Sequence, residues 1–178
     1  MKVKDLVYIA IFTSIICVMS LVTIPTTVPF TLQTMAIFIC MFMLKPVDAI
    51  ISVLLYIFIG AIGLPVFSNF RGGFGVLAGP TGGYILGFII MPFMALIFKN
   101  KIVAAIIGLI ICYTFGTIWF MLFNTSGIHS FWKILTICVI PFIIPDAIKL
   151  VLAYLLSKRL EFLTKEDNSE IEEENNTI

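Results

Sequence analysis

The chain has 178 residues, of which 61% are hydrophobic and 12% charged, with a formal net charge of +1. A soluble domain carries about 25% charged residues, so this chain cannot shield its apolar surface from water, and lipid is its expected solvent. The small net charge leaves no basic stripe to follow a phosphate backbone, which excludes nucleic acid as a partner.

A helix that crosses a bilayer needs about 20 mostly apolar residues. The first such run covers 6–24. Lys2 and Lys4 precede it as they would in a signal peptide, but the run is longer than a signal h-region and no small-x-small site follows, so it is expected to remain as a helix. It carries Ala10 and Ser14, a small-x-x-x-small pair that lets helices pack closely in lipid. Pro25 and Pro29 mark a turn. The second helix is read as 30–44, the third as 47–64, the fourth as 81–98, the fifth as 102–123 and the sixth as 131–157. Thr31, Gln33 and Thr34 make the start of the second too polar for lipid. The expected fold is an all-α membrane protein with six transmembrane helices in one domain, 1–163. An acidic tail, 164–178, is too polar to join a core and is expected to be disordered and cytoplasmic.

Lysine and arginine counts set the topology. Lys2, Lys4, Lys45, Lys99, Lys101, Lys158, Arg159 and Lys165 fall on one side, and Arg71 and Lys133 on the other. The richer side is the cytoplasmic one, so both termini are expected inside and Arg71 outside.

Two constellations stand out. The segment 60–87 holds nine of the twelve glycines. Glycine permits positive φ and close approach of backbone to a ligand. No G-x-x-x-x-G-K-[ST] is present, so an ATP site is not expected. Irregular backbone at membrane depth must be buried in protein or line a cavity, so this segment should shape a recess. The second constellation is Pro141–Lys149. Asp146 and Lys149 lie three apart on one helix face. A charge at the centre of a span costs about 2.5–3.5 kcal/mol on insertion scales, so the two must be paired or used. They join helices as an ion pair, or they form a polar ligand site. Pro141 and Pro145 weaken the helix ahead of them, and Asp146 reads as the first turn of a restarted half-helix, where a carboxylate is favoured.

Cys17, Cys40, Cys112 and Cys138 read as buried apolar residues, and His129 as a surface residue. No catalytic residue, metal ligand set or cofactor motif is expected.

The runs Gly63–Phe67, Gly72-Gly73 and Leu77–Tyr84 with Gly87-Phe88, together with P-D-x-x-K at Pro145–Lys149 and P-F-T-L-Q at Pro29–Gln33, resemble the signature of the BioY family. The resemblance covers residues 5 to about 158. It implies the fold of an S component, the substrate-binding subunit of an energy-coupling factor (ECF) transporter, with biotin as ligand. It also implies partners, a transmembrane coupling subunit and two ATPase subunits, which agrees with the missing P-loop. The family's helix-1 motif for docking the coupling subunit is matched at Ala10, with Ser14 in place of a second alanine. Biotin's ureido ring offers two N–H donors and one carbonyl. Asp146 is suited to the N–H groups, Lys149 to the carbonyl and Asn69 to either. Phe67, Phe70 and Tyr84 are candidate apolar walls, and Arg71 a candidate for the valerate carboxylate. Other readings are an S component for a different vitamin, an intramembrane enzyme acting on lipid, and a structural membrane subunit.

Overall fold

The computed structural model describes the backbone of residues 2–25, 28–123 and 131–176, with every side chain in these ranges except those of 131–133, 137 and 163–176. His129 lies outside the described residues, as do the side chains of Lys133 and the acidic tail.

Helix α1 spans Val3–Leu21. The chain then turns through a two-stranded antiparallel ribbon, β1 (Thr23–Ile24) against β2 (Phe30–Thr31), with Thr23 opposite Thr31 and Ile24 opposite Phe30. Helix α2 is Gln33–Met43 and α3 is Pro46–Ala61, with Pro46 in the first turn, where its missing N–H is harmless. After a glycine-rich segment come a 3-10 turn at Ser68–Phe70 and the short helices α4 (Phe74–Leu77), α5 (Gly82–Gly87) and α6 (Ile90–Ile97). The long helix α7 is Lys101–Phe123, followed by α8 (Phe131–Cys138) and α9 (Ile140–Asn176).

Helix α2 is the centre of the molecule. Ala36, Ile37, Phe38 and Cys40 are wholly buried, as expected of a helix that is apolar all round. It packs against α1, α3, α6, α7 and α9. At its C-terminal end Lys101 Nζ donates to the carbonyls of Phe42 (2.6 Å) and Leu44 (3.3 Å), groups that a helix end leaves open. The outer faces are apolar too. Leu6, Val7 and Val18 on α1, Ile110 and Ile118 on α7, and Ile144, Ile148 and Val151 on α9 are all exposed. Among the described residues, three helical stretches are long and apolar enough to cross a membrane: Val3–Leu21, Lys101–Phe123 and Ile134–Phe162. Gln33–Met43, Pro46–Ala61 and Gly82–Ile97 are shorter apolar helices.

Four elements differ from the sequence reading, each for a local reason. The second helix starts at Gln33, because Phe30 and Thr31 pair with β1 instead. The fourth is two helices broken at Phe88–Ile89. Pro92 has no N–H for the carbonyl four residues back, which is that of Phe88. The sixth breaks at Val139 rather than at Pro145, and Asp146 therefore sits in the second turn of α9, not the first. Pro141 lies next to the new start of the helix, where proline is tolerated. Helical backbone also continues to Asn176, where composition predicts disorder. No glycine or proline follows Pro145 to stop it.

The glycine-rich segment folds back on itself. Phe67 and Arg71 exchange both backbone hydrogen bonds (2.9 and 3.3 Å), and Asn69 and Phe70 make the turn between them with φ of 60° and 56°. The Phe67 ring meets Tyr56 edge-on at 5.6 Å between centroids and lies over Gly60, where a Cβ would stand 2.1 Å from a ring carbon. Gly60→Val is therefore expected to destabilise the protein by about 1–3 kcal/mol, the usual range for overpacking. A thermal unfolding curve in detergent would read this as a lowered midpoint. An unshifted midpoint would mean that Phe67 is not wedged there.

Candidate ligand-binding site

The two charges inside the membrane region lie on one face of α9, and among the described residues strand β2 and helices α2 and α7 supply their other partners. Lys149 Nζ donates to Asp146 Oδ1 (2.6 Å), to the Thr31 carbonyl (2.7 Å) and to Thr34 Oγ1 (3.1 Å). Thr34, in the first turn of α2, donates its own hydroxyl hydrogen to Asp146 Oδ1 at 2.9 Å. Tyr113 on α7 donates to Asp146 Oδ2. The Phe30 ring lies 4.0 Å from Lys149 Nζ and stacks on Phe142, a cation–π contact that favours the ammonium.

Asp146 and Lys149 are only 2% and 5% exposed. Burial at this level is tolerated only when the pair is well aligned and its remaining hydrogen-bond capacity is used. All three hydrogens of the ammonium are taken. The carboxylate has about four acceptor positions and three are filled, two on Oδ1 and one on Oδ2. Among the described residues nothing fills the second position on Oδ2.

This network forms one wall of a recess between α2, α5, α7 and α9. Gln33, Thr34, Ser68, Thr81, Tyr84, Tyr113, Asp146 and Lys149 give it polar groups, and Ile85, Phe88, Cys112, Cys138 and Phe142 apolar ones. The volume of the recess, its open mouth included, is about 600 Å³. A few convergent polar groups on an apolar lining are what a small-molecule site requires. Tyr84 is fixed by a hydrogen bond between its hydroxyl and Thr117 Oγ1 (3.1 Å) and by lying on Gly116, where a Cβ would come within 2.2 Å of the ring. On the outer side, Tyr113 and Asp146 also line an apolar groove between α7 and α9.

Of the residues singled out by sequence, the fold brings Asp146, Lys149 and Tyr84 to this recess. Phe67 is corrected: it is a fully buried core residue packed on Tyr56 and does not line the recess. Asn69, Phe70 and Arg71 belong to the turn beyond Ser68 and do not line it either. Phe70 is 69% exposed. Ala10 and Ser14 lie together on the exposed face of α1, where Ser14 Oγ donates to the Ala10 carbonyl at 2.9 Å. The sequence reading gave no ligand role to Thr31, Gln33, Thr34, Phe30, Tyr113 or Phe142. Polar side chains within otherwise apolar helices were the available signal for Gln33, Thr34 and Tyr113.

The sequence matches the BioY family over residues 1–166. It is 37% identical over 171 residues to the biotin transporter BioY of Thermotoga maritima, covering 92% of this chain and 99% of that one. It is 34% identical over 164 residues to the probable biotin transporter BioY of Pyrococcus horikoshii, covering 90% and 98%. Among solved structures, it resembles the S-component for biotin from an ECF-type ABC transporter, with a TM-score of 0.77, 30% identity and coverage of 89% and 91%. The S component of a bacterial ECF transporter shares the fold at a TM-score of 0.56 and 21% identity, over 91% of this chain and 98% of that one. The architecture is thus that of an S component, and the chain belongs to the BioY family.

Proposed function

We propose that this protein is the biotin-binding S component of an ECF-type importer, capturing biotin outside the cell and delivering it inward with energy from partner ATPases. The observation that carries this reading is the buried Asp146 carboxylate in the wall of a recess that sets polar groups among apolar ones, with one of its acceptor positions unfilled among the described residues. A urea ring donates through its N–H groups and leaves its hydrocarbon edges to Tyr84, Phe88 and Phe142. Asn69 and Arg71 reach the ligand only if the 62–81 segment moves toward the recess, with Arg71 then taking the valerate carboxylate. The protein acts by binding and carrying, not by turnover.

Equilibrium dialysis of the detergent-purified protein with radiolabelled biotin tests this, with riboflavin and thiamine in parallel. Saturable biotin binding, without binding of the others, is the expected result. Selective binding of another vitamin would move the substrate, and a folded protein that binds none would leave a structural subunit. The 2.6 Å Asp146–Lys149 pair favours that second reading, since the two charges already satisfy each other.

In this account the protein crosses the cell membrane six times with both termini in the cytoplasm. A cysteine placed at 71 should react with an impermeant maleimide on intact cells, and one at 99 should not. The reverse pattern would invert the orientation.

The transmembrane coupling subunit, itself joined to two ATPase subunits, docks on the α1 face at Ala10 and Ser14, where small side chains let two helices come close. Ala10→Trp and Ser14→Trp should prevent co-purification with that subunit while leaving biotin binding unchanged. Retained co-purification would place the docking face elsewhere.

A further inference from the structure

The recess has a second space behind it. Helices α7 and α9 both pack on α2, and the apolar groove between them is lined by Leu109, Thr114, Leu135, Ile143 and Val151 among others. Ile110, Ile143 and Val151 belong to its lining and are exposed, so the groove opens on the apolar outer face, where lipid is the solvent. Its volume, open side included, is about 1240 Å³. Two residues line both the recess and the groove: Tyr113 and Asp146.

The two do not share the boundary equally. Asp146 is 2% exposed, whereas Tyr113 is half-buried. The Tyr113 hydroxyl donates to Asp146 Oδ2, which ties the tip of the ring to the carboxylate. Its neighbours in α7 fall to either side, Cys112 on the recess and Thr114 on the groove. Thr114 Oγ1 turns back to its own helix and donates to the Ile110 carbonyl at 2.9 Å. The Tyr113 ring therefore stands between a site that holds a charge pair and a groove open to hydrocarbon. A carboxylate that faced hydrocarbon without a donor would be costly, and the hydroxyl supplies that donor. The ring bars lipid chains from an apolar lining they would otherwise fill.

We infer that Tyr113 is a specificity-determining residue: its ring closes the ureido end of the ligand site against the lipid-facing groove, and so limits what the ligand can carry on its ureido nitrogens. This rests on the biotin reading above.

The probe is biotin bearing an n-butyl group on one ureido nitrogen, each isomer in turn, competed against radiolabelled biotin. Wild type should reject both isomers. Tyr113→Ala opens the wall and should move the affinity ratio toward one isomer by about 100-fold, the effect of transferring a butyl group from water into an apolar groove. Tyr113→Leu should move it the same way and covers the case in which the alanine variant does not fold. Tyr113→Phe keeps the ring and should keep the wild-type ratio, which a tyrosine needed only for folding would not explain. A ratio unchanged in whichever shortened variant folds overturns the inference. So does an equal shift in Tyr113→Phe, which would trace the effect to the hydroxyl. A second readout needs no biotin. Cys112, 1% exposed in the recess wall, should react faster with lipid-soluble N-cyclohexylmaleimide in the shortened variants than in wild type or Tyr113→Phe, and equal rates overturn the inference. Absence of biotin binding by folded wild type would overturn the function reading instead, and the cysteine rates would still decide whether Tyr113 is the partition.

Discussion

Asp146→Asn is expected to lose biotin affinity by at least about 30-fold, the lower end of what removing one member of a buried, hydrogen-bonded charge pair does. The substitution keeps the shape and removes the charge. An amide has a single acceptor oxygen, whereas Thr34 and Lys149 together use two positions on Oδ1 and Tyr113 one on Oδ2. Whichever way the amide turns, an NH2 group faces a donor. With the amide oxygen turned toward Thr34 and Lys149 nothing remains for a ligand N–H, and in either orientation the Lys149 ammonium, 5% exposed, loses its counter-ion. The measurement is dialysis with radiolabelled biotin on variant protein that still elutes as a single species. Affinity close to wild type would mean that the ligand does not use this carboxylate.

Asp146→Leu combined with Lys149→Met should recover a large part of the stability that either single change removes, without recovering binding. Each single change strands a charge within the membrane region, a loss of about 3–5 kcal/mol for a buried pair. Removing both charges together is often nearly neutral, because the desolvation of both ions also disappears. Recovery should be incomplete here, since the Tyr113 hydroxyl and the Thr31 carbonyl lose their partners. Unfolding midpoints of the four proteins, wild type included, give the coupling directly. If the double variant is as unstable as the sum of the singles, the two residues do not act as a pair. If it binds biotin, the recess is not the site.

Much of this arrangement is legible in the sequence because it is local. Asp146 and Lys149 share a face by their spacing of three, and an intramembrane charge pair must be satisfied whatever the fold. The apolar runs locate the helices because lipid demands them. What is not legible is what depends on chain segments far apart. Thr34 reaches Asp146 across 112 positions and Tyr113 across 33, and no periodicity reports such a meeting. Phe67 and Phe70 look alike in the sequence. One falls in the core because Gly60 leaves room for its ring, and the other is left exposed at a turn with positive φ. The breaks at Phe88–Ile89 and Val139 follow from Pro92 and Pro141, but proline tells only that a helix is weakened, not where the chain resumes.

The most direct measurement is a structure of the protein determined with biotin present. Density for the ureido ring is expected in the recess between α2, α5, α7 and α9, with one N–H in hydrogen-bond contact with Asp146 Oδ2. Biotin bound elsewhere, such as in the apolar groove between α7 and α9, with the Asp146 network unchanged, would contradict it.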